Sequence, residues 1–160
     1  MSVQRILAHQ WPEIYQIQVQ AYQSIEPEPV AILQDKWQKS PECCFVYKKD
    51  QQIKGYLLAH AWNRETPPKL SQRLPEDSHG EILFLHDLAI DSTAAGQGIG
   101  PQLIEKLVDV AESTGYQEIR LVSIQNSKSF WQKNGFSALS EPVCQSYGDS
   151  ALLMRRKLTN

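Results

Sequence analysis

The sequence predicts a mixed α/β domain, a central sheet of parallel and antiparallel strands flanked by helices. Two observations carry this. Segments rich in β-branched and aromatic residues alternate with segments whose apolar residues recur at helical spacing, and one strand–helix–strand unit is centred on a glycine-rich turn. With 41% hydrophobic and 21% charged residues, the 160-residue chain can bury a sizeable core, and a single domain over 1–160 is expected.

Val3 to Leu7 is a short apolar run. From Trp11, residues Ile14, Ile17, Val19, Ala21 and Tyr22 recur at near-helical spacing, and Pro12 suits a first helical turn, where a missing N–H is harmless. Ser24 to Pro29, with two prolines, breaks this helix; Val30 to Lys39 then offers Ile32, Leu33 and Trp37 as the stripe of a second, which Ser40-Pro41 ends. Cys43 to Tyr47 and Ile53 to Ala61 read as an antiparallel pair joined through the polar stretch Lys48 to Gln52. Trp62 to Gly80 carries Pro67, Pro68 and Pro75 and is a long irregular excursion of the kind that often serves function.

Ile82 to Ile90 is the most apolar strand and runs into Ala94-Ala95-Gly96-Gln97-Gly98-Ile99-Gly100. A helix is predicted from about Pro101, with Leu103, Ile104, Leu107, Val108 and Ala111 on one face and Gly115 as the stop. Ile119 to Ile124 follows as a strand parallel to the one before the helix, joined to it by a right-handed crossover. Ser127 to Lys133 forms a short helix closed by Asn134-Gly135, and Phe136 to Leu139 and Ala151 to Arg155 supply two last strands.

Sixteen basic against eighteen acidic side chains give a formal charge of -2, which lacks the basic excess that holds most nucleic-acid binders on phosphate. No stretch approaches the roughly 18 to 20 apolar residues of a membrane span, and Arg5 and His9 interrupt the start of the chain, so a cytoplasmic protein with no membrane or nucleic-acid partner is expected. Cys43, Cys44 and Cys144 resemble neither a disulfide framework nor zinc-ligand spacing, and His9, His60, His79 and His86 are too scattered for a metal box. No metal is expected.

Gly96, Gly98 and Gly100, at alternate positions between a strand and a helix, let the backbone approach a ligand and aim several N–H groups at one point. An anion is the natural guest of such a turn, since the helix N-terminus adds donors and a positive dipole end; the other reading is a tight connection that simply needs glycine. A dinucleotide fingerprint would need glycine where Pro101 or Leu103 stands, and a P-loop would need Gly-Lys followed by Ser or Thr, which is absent.

The segment Leu88-Ala89-Ile90 through Ala95-Gly96-Gln97-Gly98-Ile99-Gly100 resembles motif A of the GNAT superfamily of acetyl-CoA-dependent N-acetyltransferases, written R/Q-x-x-G-x-G/A, with Ala95 where Arg or Gln is usual. Phe130-Trp131-Gln132-Lys133-Asn134-Gly135-Phe136 is similar to the family's F-Y-E-K-x-G-F segment, with Asn126 a few residues ahead. The resemblance implies the GNAT fold and a cofactor-binding set of Leu88, Ala89, Ile90, Ala95, Gly96, Gln97, Gly98, Ile99, Gly100, Pro101, Asn126 and Ser129 for acetyl-CoA. It also implies direct attack of an amine, from a small molecule or a peptide, on the thioester within a ternary complex. Such folds often pair, so a homodimer is the expectation, with Trp37 and Trp62 either at its interface or packed within their own chain.

The family's usual Tyr general acid falls on Trp131, whose indole N–H is far too weak an acid. Tyr147 is the substitute candidate, or else an ordinary turn aromatic. For the base, His86 and Asp87 are the polar pair inside an otherwise apolar strand; alternation sends them to opposite faces, so only one is expected to face the acceptor, the other being a satisfied core polar group or lying at a bulge, and Glu81 is a weaker third. An alternative to the enzyme is a non-catalytic acyl-CoA-binding module of the same fold, motivated by Ala95 and Trp131.

Overall fold

The computed structural model describes residues 2–22, 26–64, 66–76, 79–141, 143, 147–148 and 150–159. Its strands are β1 (Ser2–Arg5), β2 (Phe45–Lys49), β3 (Gln52–Trp62), β4 (Ile82–Ile90), β5 (Glu118–Ser123), β6 (Ser137–Ala138) and β7 (Leu152–Lys157), in one sheet of order β1-β2-β3-β4-β5-β7-β6. Among the described strands only β4 and β5 run parallel, and the helix between them makes their crossover. Helices α1 (Trp11–Ala21) and α2 (Val30–Lys39) cover one face; α3 (Ile99–Thr114) and the short α4 (Lys128–Lys133) cover the other. No helix among the described residues is long and apolar enough to cross a membrane.

Sequence pattern explains most of these boundaries. In α3 the expected stripe is buried, with Leu103, Ile104, Leu107 and Ala111 fully enclosed against Leu57, Leu85 and Leu121 of the sheet. Each such Leu or Ile contributes about 1.5 to 3 kcal/mol. Gly115 ends the helix in the left-handed region, its N–H donating to Ala111 and Glu112 carbonyls. The start differs from expectation: α3 begins at Ile99, not near Pro101. Gly98 at φ 77° is the N-cap, and Pro101 falls at the third helical position, where its missing N–H breaks no intrahelical bond. The turn between β2 and β3 is also tighter than the sequence suggests, since only Asp50 and Gln51 lie outside the strands, both at positive φ, as a two-residue hairpin requires.

The β3–β4 register carries the main correction. Leu58 pairs with Asp87, yet the next residue, Ala59, pairs with Leu85, so His86 is the extra residue of a β-bulge. Period-two alternation therefore breaks at one point. Asp87 lies with Tyr56 and Ala89 on the α1/α2 face, while Leu85 and Leu88 join the α3 face. His86 also turns to the α1/α2 face, where its ring comes within 6.3 Å of His60. His86 and Asp87 thus share a face, contrary to strand alternation.

The two candidate interface tryptophans pack within the chain: Trp62 is 4% exposed and donates to the Thr66 carbonyl, and the half-buried Trp37 packs against Trp11 with ring centroids 5.6 Å apart and the planes tilted by 59°. Cys43 and Cys44 are buried free thiols, and burial pushes the Cys43 thiol up to about 12. Cys144, and with it Ser24, Glu65 and Asp77 of the two irregular segments, lies outside the described residues.

Candidate active site

The parallel pairing of β4 with β5 covers only Ile82 to Phe84 against Glu118 to Arg120. Beyond Phe84 the strands part, and the edge of β4 that faces β5 has no ladder partner there. A cavity of about 250 Å³ opens in the gap, walled by Leu85, Leu88 and Ile90 of β4, by Leu121 and Ile124 along β5, and by Phe130 of α4. Its polar groups converge from elsewhere: His86 and Asp87 from the bulge, Tyr22 from the end of α1, Glu28 from the segment before α2, and Tyr147 from the stretch before β7.

Asp87 is 6% exposed and accepts two phenolic hydrogens, from Tyr22 at 2.5 Å on one oxygen and from Tyr56 at 2.6 Å on the other. Burial raises its carboxyl to about 6, although His86 and both phenols pull the other way. Burial also raises Tyr22 and Tyr56 well above an ordinary phenol, with the Asp87 charge adding to the effect. The Tyr22 hydroxyl lies 2.9 Å from the Leu88 carbonyl as well, and so fixes the β4 backbone at the cavity wall.

His86 has a 1% exposed side chain, and its Nε2 lies 2.6 Å from Glu28 Oε1. Burial alone would raise the Glu28 carboxyl; His86, Lys36 and the Ser71 N–H outweigh it and hold the group at about 2. Tyr147 is 4% exposed and donates its hydroxyl hydrogen to the Pro68 carbonyl, which ties the excursion after β3 to the cavity. Trp131 donates its indole hydrogen to Ser127 Oγ at 3.2 Å and packs edge-on against Phe130 and Phe136. It is a wall, not an acid.

Past β4, Gly96 and Gly98 take the left-handed conformation with open space where a Cβ would stand, while a Cβ on Gly100 would meet the Phe130 ring at 3.0 Å. The N–H groups of Gly96, Gln97, Gly98, Ile99 and Gly100 find no acceptor among the described residues. With the dipole of the sixteen-residue α3 behind them, these donors suit a diphosphate. The rest of the implied cofactor set divides. Leu88 and Ile90 line the cavity, whereas Ala89 packs into the core on the other face. Ala95 is exposed and spends its N–H on the Ser92 carbonyl; Pro101 has no N–H to give; Asn126 and Ser129 are exposed at the end of β5 and on α4.

The structure thus brings His86, Asp87 and Tyr147 to one cavity and adds Glu28 and Tyr22 to its wall, with Tyr56 behind Asp87, none of which stands out in the sequence as a site residue. The one sequence signal for Glu28 was an acid held between Pro27 and Pro29. Glu81 contributes a carbonyl to Gln117 at the far end of β4.

No curated protein matches the sequence. Among solved structures the fold is similar to the GNAT-like decarboxylase GphF in complex with isobutyryl-CoA (TM-score 0.84, 14% identity, 99% of this chain and 100% of that one). It is also similar to Ard1 from Thermoplasma volcanium (0.78, 17%, 99% and 98%) and to the ribosomal-protein-S18-alanine N-acetyltransferase from Escherichia coli (0.72, 15%, 99% and 94%). At these identities the likeness speaks for the fold. The sequence itself matches the acetyltransferase (GNAT) family over residues 11–136, across both faces of the cavity and the glycine turn, and the chain belongs to that family.

Proposed function

We propose that the chain is an N-acetyltransferase that moves the acetyl group of acetyl-CoA to an amine of a small molecule or a peptide, by direct attack in a ternary complex. The observation that carries this reading is the parting of β4 from β5 beside a glycine turn with five unspent N–H groups. Acetyl-CoA is a substrate here. Its diphosphate would lie on the N–H groups of Gly96 to Gly100, and its thioester arm would run along the unpaired edge of Leu88 to Ile90. Backbone donors on that edge would stabilise the negative charge that develops on the thioester oxygen.

The acceptor side is acidic. Glu26, Glu28 and Asp87 line the cavity with no Lys or Arg among its described lining residues, which favours a cationic amine. His86 is the base candidate. Tyr147 is the candidate acid for the departing sulfur, and its hydroxyl must exchange Pro68 for that role. Tyr147→Phe is expected to lower kcat by about tenfold or more, with KM for acetyl-CoA unchanged; an unaltered kcat removes the acid role.

The deciding experiment has two readouts. Thermal unfolding with CoA, acetyl-CoA or NAD should show a raised midpoint with the two CoA species alone. A panel of primary amines should then include at least one that makes thiol release from acetyl-CoA amine-dependent. Stabilisation by CoA without release under any amine would favour a non-catalytic acyl-CoA-binding module; no stabilisation at all would overturn both readings.

A further inference from the structure

We propose that Glu28 is a positioning residue that fixes the tautomer of His86, so that His86 Nδ1 takes a proton from the acceptor's ammonium; this rests on the acyl-transfer reading above.

Glu28 is held from every side. The Gln18 side chain, 3% exposed in α1, grips its backbone twice, donating to the Glu28 carbonyl at 3.1 Å and accepting from the Glu28 N–H at 3.0 Å. Oε2 accepts from the Ser71 N–H at 2.8 Å, which leaves Oε1 for His86. A carboxylate so placed is an acceptor only, so His86 Nε2 must carry the hydrogen of the 2.6 Å contact. In the neutral ring the lone pair then sits on Nδ1.

That atom is buried with no hydrogen-bond partner among the described residues, in a side chain that lines the cavity. An unpaired buried acceptor is costly in a core and useful where a substrate N–H arrives. His60 Nε2 is also buried without a partner among the described residues, but His60 is not among the described residues of the cavity wall; its Nδ1 donates to the Ala61 carbonyl, so it holds the opposite tautomer, and burial lowers it to about 3.

The charges facing the pair fit the assignment. Glu28 and Asp87 favour the imidazolium that forms; Lys36, fully buried in α2 and donating to the Gln72 carbonyl, opposes it from beyond Glu28. Neutral His60 adds no charge, and Tyr22 and Tyr56 spend their hydrogens on Asp87.

The step balances. An acceptor ammonium brings three N–H hydrogens, and Nδ1 takes one to give a free amine and an imidazolium paired with Glu28. The amine nitrogen forms its bond to the thioester carbon, and the C–S bond breaks with its electron pair leaving on sulfur. The sulfur takes its hydrogen from the Tyr147 hydroxyl, the second amine hydrogen restores that hydroxyl, the third stays on the amide, and the imidazolium returns its proton to water.

The first test needs no acceptor, and a variant only for assignment. Nitrogen–proton correlation spectra of the full chain labelled with 15N-histidine, with the His86 signals assigned through His86→Gln, should show the neutral ring protonated on Nε2. A neutral ring protonated on Nδ1, or both nitrogens protonated throughout pH 6 to 9, overturns the proposal.

The second test is kinetic and uses an amine that supports thiol release. Glu28→Gln should lower kcat by about 10- to 100-fold with KM for acetyl-CoA within about twofold, and should move the acid limb of the kcat profile to lower pH. Glu28→Asp should restore part of the rate. A fall in kcat with the limb unmoved would make the pair purely structural and sink the idea. If the tautomer is as expected but no amine supports release from the native protein, the acyl-transfer reading fails and takes the proton-accepting role with it, leaving the tautomer lock alone.

Discussion

At the residue scale, two buried carboxylates in one cavity are driven in opposite directions. Asp87, raised to about 6 by burial, keeps its proton in the folded state where the unfolded chain has lost it. Between about pH 4 and 6 the folded state therefore binds more protons, and stability falls as pH rises, by up to about 3 kcal/mol. Glu28, held at about 2, does the reverse, and its contribution is complete above about pH 4.5 and lost as pH falls toward 2. Asp87→Asn removes the first group alone. Urea unfolding at pH 4 and pH 7 should show the native protein losing up to about 3 kcal/mol more than the variant between the two; equal losses would mean that Asp87 is ionised in the fold across that range. Neither behaviour could be read from the sequence. His86 and Asp87 stand out as polar residues in an apolar strand, but their environments come from Tyr22, Tyr56 and Glu28, at sequence separations of 65, 31 and 58 residues.

At the scale of elements, local pattern was enough wherever one side chain decides. Gly115 stopped a helix, the prolines around Glu28 separated two helices, and the stripe of α3 named its own buried face. A bulge at His86 or Asp87 was one option the sequence left open, but its place was not legible, because the bulge at His86 is a relation between β3 and β4. The bulge makes its own prediction. Without His86, Phe84, Leu85, Asp87 and Leu88 would alternate regularly between the two faces on which they already lie, so deletion of His86 should leave the circular-dichroism spectrum of the fold intact. The deletion strands Glu28 without its partner, at a cost of about 3 kcal/mol, and should abolish amine-dependent thiol release. An unfolded deletion variant would mean that the bulge itself holds β4 in register. At the glycine turn, Gly98→Asp meets open space, so the fold should survive with about 1 kcal/mol of left-handed strain, while its negative charge beside the free N–H groups should erase stabilisation by CoA.

At the scale of the whole molecule, the sheet separates the two halves of the reaction. The glycine turn feeds α3 on one face, whereas Glu28, Gln18 and Tyr22 reach the cavity from the α1/α2 side, and the gap between β4 and β5 is where the two meet. The acceptor half is itself an assembly. Asp35 accepts from the Leu74 N–H at 2.7 Å, Lys39 donates to the Leu74 carbonyl at 2.8 Å, and Lys36 donates to the Gln72 carbonyl, so α2 straps the excursion that carries Ser71 to Glu28. Glu28 and Gly98 share no hydrogen-bond partner among the described residues, and changes at sites without shared partners add. Glu28→Gln should therefore leave the CoA-induced rise in unfolding midpoint within about 1 °C of the native value, even where the unliganded midpoint falls by several degrees. Gly98→Asp should do the opposite, leaving the tautomer of His86 unchanged in the same 15N spectra while CoA no longer stabilises. In the double variant the two losses of unliganded stability should sum to within about 0.5 kcal/mol. A Glu28→Gln protein that loses its response to CoA would show that the acceptor strap shapes the cofactor arm, and that β4 transmits between the two faces of the sheet.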